Sequence, residues 1–238
     1  MHYTITFLSV ILGFVLALLI QPKNKNNLKL LLSFSGSFLL SLTVMHLLPE
    51  VYEGVSSHQH HAHEHTHNHS FELSVGVFIM IGILFQIVLE FFSKGAEHGH
   101  VHLHGSMQHI PWTLFISLCI HAFLEGMPIS QHHEMAWGIG IHHFPIAIIL
   151  TLFFAQANLP KARIIFFMIM FALMTPLGTL LAENLHFLQH YKAEISALVI
   201  GILFHIASTI IFETNEHHTF NIYKLISIIV GFVLAMFV

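Results

Sequence analysis

Charge is what this chain has least of. Only 8% of its 238 residues are Asp, Glu, Lys or Arg, against about 25% in a soluble globular domain. With 55% hydrophobic residues, the composition excludes a water-soluble fold and indicates an integral membrane protein. Lys and Arg together number 8, too few for a basic patch, so nucleic acid is excluded as a partner. Cys119 is the single cysteine, and an intramolecular disulfide is therefore impossible. The first apolar run, residues 4–20, has no positive stretch before it. Lys23, Lys25 and Lys29 follow it instead, so it reads as a retained span rather than a cleaved leader.

Apolar runs near 20 residues predict eight spans, at 4–20, 28–48, 72–92, 111–130, 135–156, 162–182, 194–212 and 221–238. With the N-terminus outside, Lys23, Lys25, Lys29, Lys94, Lys161, Arg163 and Lys224 all fall on or beside cytoplasmic segments, and Lys192 falls outside. That asymmetry follows the positive-inside rule and places the C-terminus outside as well. The whole chain, 1–238, reads as one multi-pass transport domain of a cell membrane.

Histidine is what the chain has in excess, with 24. An external loop over 54–71 holds seven of them between His58 and His69, and a cytoplasmic loop over 93–110 holds His98, His100, His102, His104 and His109. Neutral imidazoles are common ligands of borderline-soft ions such as Zn2+. Tracts without fixed geometry would capture such ions weakly. They imply metal without implying a direction of movement.

The decisive feature lies inside the fourth span, in His121–Ala122–Phe123–Leu124–Glu125–Gly126. An ionisable group at mid-bilayer costs roughly 2.5–3.5 kcal/mol on the gentlest scale, and its default reading is functional. Residues at i and i+4 share one helix face, so His121 and Glu125 can point at one cation. The fifth span carries His142–His143–Phe144–Pro145. His142 and His143 lie about 100° apart on a helix, so the sequence leaves open whether both face one site. Pro128 and Pro145 are expected to free the carbonyls of Leu124 and Ile141, as ion sites in broken membrane helices require. His46 and Glu50 repeat the i, i+4 spacing near the outer end of span two. Glu90 and His205 are further candidates within spans three and seven, and Glu213 closes the latter. His132, His133, Glu134, His217 and His218 read as loop residues at the membrane surface.

Together these motifs resemble the ZIP (Zrt/Irt-like) family of divalent metal transporters. His121–Ala122–Phe123–Leu124–Glu125–Gly126 is similar to its H-N-x-x-[DE]-G signature, and His142–His143–Phe144–Pro145 to its H-E-x-P-H-E signature. His46–Leu47–Leu48–Pro49–Glu50 resembles the motif ending its second span. The resemblance implies an all-α membrane fold of eight helices in a 3+2+3 inverted-repeat arrangement. It also implies a metal site between spans four and five, movement of metal into the cytoplasm, and a homodimer. Carried over by position, His121, Glu125, His142 and His143 would be ligands, with His205 a weaker transfer. Ala122, Ile146 and Ala147 depart from the signatures at polar positions, so a single ion is expected where parts of the family hold two. An imidazole-rich ligand set favours Zn2+ as substrate, then Fe2+ or Mn2+. No resident cofactor and no enzymatic activity are expected. Because ligating imidazoles must be neutral, uptake should fall as pH drops below about 6.5.

Two other readings compete. A metal efflux carrier would suit the histidine loops, though such proteins usually have six spans, Asp-rich sites and a soluble C-terminal domain. A membrane-embedded histidine-box metalloenzyme is suggested by the pairs 132/133, 142/143 and 217/218. The topology, however, places 132/133 and 217/218 on opposite faces.

Overall fold

A computed structural model describes residues 2–20, 25–56, 69–93, 112–157, 159–213 and 222–238. Among these residues the chain is all helical, and its architecture is that of an all-α integral membrane protein. The helices are α1 (His2–Ile20), α2 (Lys25–Leu42), α3 (Leu48–Ser56), α4 (His69–Ser93), α5 (Trp112–Gly126), α6 (Met135–Gln156), α7 (Lys161–Asn184), α8 (His186–His190), α9 (Lys192–Glu213) and α10 (Ile222–Ala235). Among the described residues seven segments are long and apolar enough to cross a membrane, and α2 with α3 forms one of them. The predicted eighth span falls on α10, which is apolar but shorter.

Two boundaries differ from expectation. The second span was predicted to end at residue 48, yet helix continues through Ser56, and α4 begins at His69, so both ends of the predicted loop 54–71 are helical. Between α2 and α3 the backbone widens into a π-helical turn, Thr43–Leu47, in which the Leu48 N–H reaches the Thr43 carbonyl. The Thr43 hydroxyl donates to Leu39 O at 2.8 Å. Pro49 follows at once and has no N–H to give to the turn before it. A π turn is one way to continue a helix past such a gap. Most of loops 54–71 and 93–110, with Lys94, His217 and His218, lie outside the described residues.

Packing separates the helices into two groups. In the first, α1 lies along α6 and α7, and α5 lies along α7. Phe14, Phe115, Leu118, Phe154, Phe167 and Phe171 contribute to its core. In the second, α4 lies along α9 and α2 along α10, around Leu39, Leu42, Ile200 and Leu203. The groups meet where α2 packs on α6 and α4 on α5. Ser117 in α5 donates to Leu89 O in α4 at 2.7 Å, a buried hydrogen bond across that boundary.

Ends of several helices are tied together at one pole of the bundle. His2 Nε2 lies 3.2 Å from Glu183 Oε1 at the end of α7, and Tyr3 also donates to Glu183. The His2 ring stacks on His133 with centroids 4.5 Å apart. The start of α1, the α5–α6 connection and the end of α7 therefore share one pole.

Candidate metal centre

Because α5 is regular from Trp112 to Gly126, its i, i+4 pair faces one way. His121 Nε2 lies 3.3 Å from Glu125 Oε1. On α6, Met135–Gln156, His142 projects toward the same place. One ligand atom each from His121, Glu125 and His142 can be chosen so that all lie within 4.8 Å of one another. The His121 and His142 rings stand edge to face, 86° apart in plane, with centroids 6.3 Å apart. His143 approaches Glu125 through the other oxygen, its Nε2 2.8 Å from Oε2. The one-residue offset between His142 and His143 thus brings both imidazoles to one carboxylate. All four side chains are buried, none more than 1% exposed. Taking a carboxylate out of water costs several kcal/mol unless opposite charge or hydrogen bonds compensate, and here three imidazoles surround it.

The third helix of the site was not legible as such. Thr175 Oγ1, on α7, donates to Ala122 O at 3.0 Å and lies 3.4 Å from His143 Nδ1. Thr179 Oγ1 donates at 2.7 Å to Gly126 O, a carbonyl that the end of α5 leaves without a helical partner. These contacts need the two backbones to touch, and glycine makes that possible. A Cβ on Gly126 would overlap the Thr175 carbonyl, and one on Gly178 would overlap the Phe123 carbonyl. The available signal was two threonines and Gly178 spaced along an apolar run, which by itself marks only a packing stripe.

Proline acts differently from expectation at Pro128. The Leu124 carbonyl is not freed, because α5 ends before the proline and the Met127 N–H reaches Leu124 O at 3.1 Å. A short 3-10 turn, Pro128–Ser130, follows. Pro145 lies within α6, which continues past it. Just upstream, the Gly140 carbonyl accepts a hydrogen bond from Ser9 on α1.

The remaining candidates stand apart from this centre. Glu50, in α3, pairs with His132, and His46 is half-buried in the π turn before it. His132 is buried at 4% exposure rather than lying at the surface as expected. Glu50 and Glu134 both approach its Nδ1, at 2.8 and 3.5 Å. His205 Nε2 lies 2.6 Å from Glu90 Oε2, joining α9 to α4. Ala122, Ile146 and Ala147, the departures from the family signatures, are buried in the apolar core of the first helix group. Among the described residues, His121, Glu125 and His142 form the one cluster of three metal-ligating side chains within mutual reach.

A family model described as ZIP Zinc transporter matches residues 2–110. A curated relative, Zinc transporter SLC39A7 of Mus musculus, is 39% identical over 87 residues, covering 35% of this chain. The aligned stretch spans only 18% of that relative's length. Over residues 2–110 the chain is thus similar to ZIP-family sequence, a stretch that includes His46–Leu47–Leu48–Pro49–Glu50 and ends before the other two motifs. His121, Glu125, His142 and His143 lie beyond the residues the family model matches, so the case for the centre is geometric.

Proposed function

We propose that this protein carries divalent transition-metal ions, foremost Zn2+, across the membrane and into the cytoplasm, with His121, Glu125 and His142 as the ligands at mid-membrane. The observation that carries this reading is the convergence of two imidazoles and one carboxylate, from two helices, in a fully buried apolar setting. Zn2+ prefers four ligands of this kind in a tetrahedron. Three from the protein leave one position for water, which suits an ion that must be released again. The neighbouring ZIP-family sequence supports transport over catalysis.

In this reading the N-terminus, the connection 131–134 and the end of α7 face outside. The external histidine loop raises the local concentration of metal. The ion sheds water onto His121, Glu125 and His142. Rocking of the group α1, α5, α6 and α7 against α2, α4, α9 and α10 then opens the centre inward, where cytoplasmic histidines receive the ion. Two copies form the working unit at the cell membrane.

Reconstituted protein should take up Zn2+ into proteoliposomes, and Glu125→Ala should reduce uptake at least ~10-fold. Unchanged uptake by that variant would overturn the ligand assignment. Metal depletion rather than accumulation in expressing cells would instead identify an efflux carrier.

A further inference from the structure

His142 and His143 are adjacent, yet their ring nitrogens meet different chemistry. His143 Nε2 lies 2.8 Å from Glu125 Oε2. A nitrogen lone pair held that close to an anionic oxygen would be repulsive, so Nε2 carries the proton and donates it to the carboxylate. While it keeps that proton, Nε2 offers no lone pair to a metal, and His143 is not among the residues whose ligand atoms lie within 4.8 Å of one another, which are His121, Glu125 and His142. Only Nδ1 retains one, and Nδ1 lies 3.4 Å from Thr175 Oγ1, toward α7. The ring is held from another side by Phe171, with centroids 5.6 Å apart. Glu125 is then approached through Oε2 by His143 and through Oε1 by His121, at 3.3 Å.

We infer that His143 is a positioning residue rather than a ligand: it grips Oε2 of Glu125 and leaves Oε1 to complete the metal set with His121 and His142, while Thr175 backs the ring from α7. The inference rests on the proposed function and deepens it. Carboxylate ligands work best when a second hydrogen bond fixes their orientation, and losing such a partner typically weakens metal binding 10–100-fold. The centre is therefore a two-imidazole, one-carboxylate site despite the three histidines around Glu125.

The test uses the full chain, purified in lipid nanodiscs, with the histidines of 58–69 and 98–109 replaced by serine so that bound Zn2+ reports on the buried centre. X-ray absorption at the zinc edge should show two imidazoles and a carboxylate. The count should stay at two in His143→Leu, whose Zn2+ affinity, measured against a competing chelator, should fall about 10–100-fold. His143→Gln restores an N–H donor near the former Nε2 and should return affinity to within about 3-fold of the parent. Three imidazoles in the parent, or one fewer in either variant, would overturn the positioning role and leave the proposed site standing. Equal weakening by His143→Gln and His143→Leu would also overturn it. If His143→Leu does not fold, the imidazole count in His143→Gln decides alone. Parent affinity in His121→Ala would overturn both this inference and the site itself.

Discussion

His132 Nδ1 lies 2.8 Å from Glu50 Oε2, which ties the connection between α5 and α6 to the helix that continues α2. The two residues belong to different helix groups, so this contact spans the boundary across which the groups would have to move. One partner is nearly buried and the other exposed, with side-chain exposures of 5% and 60%. Solvent at Glu50 screens the pair, and its net worth should be at most about 1 kcal/mol. Glu50→Gln should therefore shift the thermal midpoint in detergent only slightly while changing the maximal rate of Zn2+ uptake. An unchanged rate would show that the tie is not part of the moving boundary.

The close approach of α5 and α7 predicts a strong contrast between glycines. Gly178→Ala would drive a methyl group into the Phe123 carbonyl, and overpacking of this kind typically costs about 1–3 kcal/mol. Separating the helices would also pull Thr175 away from Ala122 and His143, so Zn2+ binding should fall together with stability. Gly76→Ala, with no atom within 4 Å of the added carbon, should be neutral or slightly stabilising. Thermal unfolding of the two variants side by side checks the contrast.

Ligand chemistry sets the order of ions. Two imidazoles and one carboxylate favour Zn2+ over hard cations that prefer an all-oxygen shell. Mg2+ or Ca2+ at ~100-fold excess should leave Zn2+ uptake nearly unchanged. His142→Glu should move the preference toward Mn2+. Competition assays in proteoliposomes measure both effects, and strong inhibition by Mg2+ in the parent would contradict the assigned ligands.

The Glu90–His205 pair lies in the second helix group, away from the centre, and each side chain keeps about a fifth of its surface exposed, 22% and 20%. As a relay for departing metal it would affect how fast the ion leaves rather than how tightly the centre holds it. Glu90→Gln should lower the maximal uptake rate with half-saturation unchanged. A shift in half-saturation alone would rule the relay out.

The histidine loop invites the opposite experiment. Replacing the seven histidines between His58 and His69 by serine should raise the Zn2+ concentration needed for half-maximal uptake and leave the maximal rate intact. Equal loss of both would assign the loop a structural role instead.

Some of this was legible in the sequence because it depends on solvent and on local geometry. Scarce charge and long apolar runs determined an all-α membrane fold, since a bilayer forces every backbone polar group into internal hydrogen bonds. The spacing of His121 and Glu125 determined that they share a face, because 3.6 residues complete one helical turn. The sequence could not decide which helix stands opposite. That Thr175 backs His143, that Glu50 reaches His132 rather than pairing with His46, and that His205 meets Glu90 are contacts between residues at least 32 positions apart. They depend on how the helices pack, which no local periodicity reveals: Gly126 and Gly178 let α5 and α7 touch, and Gly82 and Gly201 do the same for α4 and α9. The sequence by itself determined that imidazoles and a carboxylate would be buried in neighbouring spans. Only the tertiary structure decided which nitrogen faces which oxygen, because that is fixed by packing against α7.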